Sequence, residues 1–143
     1  MIPARTTVIT LGAHDMPSMR AFYRGLGWSE KAESTDYFAS FLTSGAILAL
    51  FPFEHLAKDA RVAPSDVGTQ FRGVTIAINV ESRELVDSTI DELRAAGARI
   101  TKEPEDASWG GRSAYFADPE GNAWEVVWAP GTSFDADGNF VWQ

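Results

Sequence analysis

The sequence predicts an α+β chain built from two tandem βαβββ modules. Strand-like and amphipathic helical runs follow one another in the same order twice along 143 residues. Residues 7–27 align with 74–97 by element order, and 45–49 align with 121–125. A stretch without periodicity separates the two halves. The expected organisation is one domain over 1–143, with a first module at 6–51, a linker at 52–71, a second module at 72–130 and a tail at 131–143.

Residues 6–15, TTVITLGAHD, are rich in β-branched side chains and read as a strand. Pro17 suits the first turn of a helix, which therefore starts at Asp15 or Met16. Met16, Met19, Phe22, Tyr23 and Leu26 recur on one face of it, and Gly25 and Gly27 close it. Residues 37–51 read as two strands with a turn at Ser44-Gly45. Pro52, Pro64 and Gly68 punctuate the charged, aperiodic linker. Residues 72–82 form a strand that runs into a helix N-cap at Ser82. Leu85, Val86, Thr89, Ile90 and Leu93 give a second amphipathic helix, closed by Gly97. Residues 98–104 are a short strand, and 111–128 hold a strand, a turn at 118–122 and a final strand. Asp-Pro-Glu-Gly is turn chemistry, with Pro at the second turn position and Gly at a left-handed one. In the tail, DADGN at 135–139 lacks the spacing and distal Glu of a calcium loop and reads as a hairpin turn.

Composition narrows the function. Twenty acidic against twelve basic residues leave a net charge of −8, with no basic cluster, which argues against nucleic acid as a partner. No apolar run is long enough to span a membrane, and no N-terminal secretion pattern is expected. The chain has no cysteine, which removes disulfides, thiolate metal sites and cysteine nucleophiles and fits a reducing cytoplasm.

Glu125 is the anomaly. Strand alternation puts Trp124, Val126 and Trp128 on one side of the last strand and Glu125, Val127 and Ala129 on the other. A carboxylate in such a strand needs a metal, a ligand, a basic partner or water, because an uncompensated buried charge is strongly destabilising. In 73–80, Val74, Ile76, Ile78 and Val80 take the helix side, and Thr75, Ala77 and Asn79 take the other.

The doubled βαβββ order carries two further signatures: Phe116-x-Asp118-Pro119-x-Gly121-Asn122-x-x-Glu125, and HDMPSMRAFYRGLGW at 14–28. Together they resemble the vicinal oxygen chelate superfamily, which includes glyoxalase I, extradiol dioxygenases, fosfomycin resistance enzymes and bleomycin resistance proteins. The likeness covers 6–130. It implies mixed sheets curled around a central cavity with helices outside, Glu125 on the cavity side, and a homodimer. Metal-binding members place ligands on the first and last strands of each module, positions that carry over to Val8, Ala49, Thr75 and Glu125. Of these only Glu125 is a strong ligand, whereas zinc and facial-triad iron sites take at least three protein donors. His14 lies beyond the first-strand position and His55 in the linker, so neither completes the set. The expectation is no metal and no other cofactor.

The remaining candidates for the cavity wall are Thr75, Asn79, Trp109, Arg112 and Tyr115 in the second module and Phe51 in the first. Trp109 and Tyr115 can stack on a flat ligand, and Thr75, Asn79 and Glu125 can orient its polar groups. Arg112 binds the ligand or pairs with an acid. Two functions stay open. One is a metal-independent protein, similar to bleomycin resistance proteins, that holds a small aromatic or amphipathic molecule. The other is an enzyme of the same fold, a lyase, isomerase or dioxygenase. There Glu125 would be a base or part of a metal site completed by substrate. Phe134, Phe140 and Trp142 in the tail offer a flap or a subunit contact.

Overall fold

Asp15 begins the first helix as its capping chemistry demands. In the computed structural model, which describes residues 1–2, 4–64 and 71–141, its carboxylate accepts from the Ser18 amide at 2.9 Å and the Ser18 hydroxyl at 2.7 Å. The helix, α1 (Met16–Gly25), follows strand β1 (Val8–Ala13) and buries Met16, Met19 and Tyr23. Tyr23 lies 5.7 Å from Phe41, ring to ring, so α1 packs on the face of the sheet that carries Phe41. Strands β2 (Ala39–Phe41) and β3 (Ile47–Pro52) complete a sheet of order β1-β3-β2, with β1 parallel and β2 antiparallel to β3. The expected fourth strand of this module is reduced to a single bridge, Glu30 to Phe41, flanked by Lys31 N–H to Ser40 O and Leu42 N–H to Ser29 O.

The stretch read as linker contains a helix, α2 (Phe53–Ala60). Phe53, Leu56, Ala57 and Ala60 have helical spacing, but Pro52, Pro64 and the surrounding charges hide an eight-residue period. A Cβ placed on Gly12 would stand 2.8 Å from Phe53 Cδ2 and 3.5 Å from Leu56 Cδ2. Thus α2 lies against the sheet face opposite α1, at the end marked by Gly12 and its partner Phe51. His14 stacks on Phe53 at 4.1 Å. The rest of the expected linker, 65–70, lies outside the described residues.

The two compact units of the chain are Met1–Val67 and Gly68–Gln143. The second contains β4 (Thr75–Asn79), α3 (Arg83–Ala95), β5 (Arg99–Asp106), β6 (Arg112–Ala117) and β7 (Ala123–Trp128). Its sheet has the order β4-β7-β6-β5, with β4 parallel to β7 and the remaining pairs antiparallel. Ser82 caps α3 through the Leu85 amide at 3.3 Å. Val86, Ile90 and Leu93 from α3 are buried, as are Ala114, Phe116, Trp124 and Val126 on the sheet face that packs with it. Phe116 and Trp124 sit directly opposite each other and stack at 6.0 Å. Burying each such large side chain contributes roughly 1.5–3 kcal/mol.

One turn is used twice. Asp118 Oδ1 accepts from the Glu120 and Asn122 amides, and its Oδ2 from Asn122 Nδ2 at 2.7 Å. Asp135 holds Asp137 and Asn139 in the same way, its Oδ2 accepting from Asn139 Nδ2 at 3.1 Å. The second copy closes the hairpin of β8 (Ser133–Phe134) and β9 (Phe140–Val141), where Phe134 and Phe140 meet edge to face. Asp-x-acid-Gly-Asn is thus a portable hairpin turn here, as expected for 135–139. Trp142 lies outside the described residues.

Candidate functional site

The face of the second sheet that turns away from α3 carries its polar chemistry. Register sets it. Glu125 on β7 pairs with Ala77 on β4 and with Tyr115 on β6, and Tyr115 pairs with Lys102 on β5. Partners across a sheet share a face, so Lys102, Tyr115, Glu125 and Ala77 form one row. Thr75 and Asn79 lie two residues to either side of Ala77 on the same face, and Ser113 and Val127 flank the row. Burial first, then the nearby Glu125 carboxylate, push the Tyr115 phenol above its ordinary value. Lys102 Nζ stands 5.5 Å from the Tyr115 ring centre, donates to Ser113 Oγ at 3.2 Å and pairs with Glu105 at 3.1 Å. Glu125 thus stands beside a phenol, in a row that ends in an ammonium.

Lys102 was not among the expected residues, and strand alternation alone would not find it. Ile100 pairs with Phe116, so an even ladder would set Lys102 against Ala114 on the helix side. A bulge between Ile100 and Lys102 shifts the pairing to Tyr115 and turns the ammonium onto the open face. Bulges commonly re-aim a side chain in this way.

The expected residues divide. Thr75, Asn79, Tyr115 and Glu125 share the open face. Arg112 does not. It is three residues from Tyr115 on one strand, so the two side chains take opposite faces. Arg112 reaches α3, donating from Nε and Nη2 to Asp87 at 2.7 Å each and from Nη1 to Asp106 at 2.9 Å. It holds both carboxyls below their usual range, and its placement on Glu125's side is therefore corrected to the helix side. Trp109 stands in the β5–β6 turn and is 57% exposed. Its ring covers Gly111: a Cβ there would fall 1.9 Å from Trp109 Cζ3 and 2.6 Å from Trp128 O. Gly111 is thus required by close approach rather than being merely a turn residue. Phe51 lies in the first unit, where it lines a cleft with Tyr37 and His55.

The metal-ligand positions of the superfamily do not fit a metal here. Val8 and Ala49 offer no donor, and Ala49 is buried. Thr75 pairs with Ala123, two residues along the ladder from the Ala77–Glu125 pair. Among the described residues no three His, Cys, Asp or Glu side chains gather as a metal site. Glu125 instead stands opposite Tyr115 in the ladder.

The model of the Glyoxalase/Bleomycin resistance protein/Dioxygenase superfamily matches residues 5–126. The chain belongs to this superfamily. A glyoxalase-related enzyme from Fulvimarina pelagi superposes with a TM-score of 0.85 at 28% identity, over 98% of this chain and 99% of that one. A glyoxalase/bleomycin resistance protein/dioxygenase from Nocardioides gives 0.77 at 28% identity, over 90% and 85%. A lactoylglutathione lyase from Agrobacterium tumefaciens gives 0.69 at 21% identity, over 90% and 96%, a likeness of fold alone. No curated protein matches the chain. Members of the superfamily differ in chemistry, so the fold leaves the reaction to be argued from the site. Among the described residues, no helix is long and apolar enough to cross a membrane.

Proposed function

We propose that this superfamily member binds a small aromatic or amphipathic molecule without a metal, on the open face of its second sheet. The observation that carries the reading is the pairing of Tyr115 directly opposite Glu125, at a family ligand position whose companions are Val8, Ala49 and Thr75. Tyr115 offers a ring face, and Glu125, Asn79, Thr75 and Lys102 offer donors and acceptors beside it. The proposal includes a homodimer, as the resemblance implies, which sedimentation at low concentration tests, and a cytoplasmic setting, which the cysteine-free sequence suits. Calorimetric titration with a panel of aromatic amines, phenols and amphipathic cations tests the site. Saturable binding that Glu125→Gln weakens, with no turnover and no stoichiometric metal in protein purified without chelator, supports it. A bound equivalent of transition metal whose removal abolishes binding or activity would overturn it.

The same pair favours a second reading, an enzyme that moves a proton. Glu125 is placed to take a proton from a bound carbon acid, and Tyr115, kept protonated by its surroundings, to hydrogen-bond the oxyanion that forms. Lyases and isomerases need this chemistry. The Fulvimarina neighbour, described as a glyoxalase-related enzyme, lends it support. Glu125→Gln separates the two: loss of turnover with binding retained favours the base, whereas binding without turnover in the parent chain favours the first reading.

A further inference from the structure

The first unit has a cleft of its own, of about 520 Å³, lined by Tyr37, Phe51, His55, Lys58, Asp59 and Arg61. Its size is that of a small-molecule site. Three aromatic rings form its wall. Tyr37 meets Phe51 at 5.4 Å and 82°, Tyr37 meets His55 at 5.4 Å and 74°, and Phe51 meets His55 at 6.0 Å and 82°. Three mutually steep rings make the corner of a box, in which a flat guest meets ring faces and ring edges together. Tyr37 is 58% exposed, so this apolar surface is open to solvent.

Two cations sit at the same cleft. Among the described residues, Lys58 and Arg61 make no side-chain hydrogen bond or ion pair, although the chain carries twenty acids. Arg20, Arg24, Arg83, Arg94 and Arg112, by contrast, are all paired. Arg61 also has an unusual backbone. It ends α2 in the left-handed region at φ 55°, whereas the ends of α1 and α3 are followed by Gly27 and Gly97 at φ 82° and 89°. Glycine is the usual residue for that conformation. A long cationic side chain stands where glycine would relax the turn, and that side chain lines the cleft.

The geometry points to this cleft as a binding site for a planar aromatic carboxylate, its ring in the Tyr37–Phe51–His55 corner and its anion on Lys58 and Arg61. The inference is separate from the pair on the second sheet. Full-length protein is titrated by calorimetry with 2-naphthoate, and with 2-naphthylmethanol as the neutral control. Saturable binding of naphthoate, about tenfold tighter than the alcohol, is expected for a ligand held by charge-assisted bonds. The double variant Lys58→Gln/Arg61→Gly lowers naphthoate affinity by about tenfold and leaves the alcohol unchanged; glycine at 61 suits the left-handed turn, so the fold is spared. Phe51→Ala weakens both ligands, and Glu125→Gln weakens neither. Equal affinity for acid and alcohol, no binding at millimolar concentration, or full affinity in the double variant overturns the inference. So does a double variant that changes the oligomeric state, which would make the cleft a contact between copies. If Glu125→Gln alone abolishes naphthoate binding, this site fails while the second-sheet site stands.

Discussion

The two sheets share a plan and differ in their open faces. In the first unit the face opposite α1 carries Val8, Thr10, Gly12, Ile47, Ala49 and Phe51, with α2 resting on its Gly12 end. Ala49 is 1% exposed and its partner Ser40 9%. In the second unit the equivalent face carries Thr75, Asn79, Glu125, Tyr115 and Lys102, and Thr75 and Ala77 are exposed. One repeat carries an apolar face, buried at Gly12 and Ala49, and the other has kept titratable groups. Ala49 and Glu125 hold corresponding places, so a carboxylate is accommodated at one and excluded at the other. The lesson is that a duplicated fold fixes positions, while burial decides which of them can hold charge.

Exchanging chemistry between the two faces gives the largest expected effect. Ala49→Glu places a carboxylate where the parent chain buries a methyl, with no cation in its register row, and costs about 3–5 kcal/mol in urea unfolding. A loss under about 1 kcal/mol would dissolve the contrast between the faces. Next comes Gly111→Ala. Its methyl would meet the Trp109 ring and Trp128 O, so the turn shifts, costing about 1–3 kcal/mol, and Trp109 fluorescence moves toward that of a fully solvated indole.

Glu125→Gln changes stability by less than about 1 kcal/mol, because the side chain is only half-buried and an amide keeps nearly its shape. It lowers the Tyr115 titration midpoint, read by phenolate absorbance, since removing a nearby negative charge favours the phenolate. Burial, the larger cause, still holds the midpoint above that of a free tyrosine. An unchanged midpoint would break the Tyr115–Glu125 link.

The smallest effect is acid sensitivity. Arg112 depresses the Asp87 and Asp106 carboxyls, with Arg83 also on Asp106. A depressed folded value contributes stability that is complete above the unfolded aspartate value of about 4 and lost as pH falls through the lower folded value. In the first unit burial pushes Glu30 up, but Arg20 and Arg24 together bring it down, with the same sign. Arg112 and Glu30 are part-buried, but Asp87 and Asp106 are about half exposed, so water screens the Arg112 clamp and its worth is small. Arg112→Gln should flatten the thermal-stability profile between about pH 4 and pH 2, with little change at pH 7. A parallel profile in both chains would show the clamp to be idle.

Much of the site's framework was legible before the fold. Pro17 and Ser82 announced two helices, because a first-turn proline and a capping side chain are both local devices. The alternation around Glu125 and in 73–80 assigned faces correctly, because a strand's side-chain period is two. The same rule, applied strictly, would have separated Arg112 from Tyr115. Helix α2 escaped notice because an eight-residue helix with one apolar stripe gives little signal beside flanking prolines.

By itself the sequence determined the repeat, the two capped helices, the Asp-x-acid-Gly-Asn turns and the isolation of Glu125 among non-ligating positions, all properties carried by neighbours along the chain. Only the tertiary structure decided that Lys102 joins Tyr115 and Glu125, that Arg112 serves α3, and that Phe51 meets Tyr37 and His55. Those outcomes depend on ladder register, a bulge and the packing of distant elements, which periodicity within one segment does not encode.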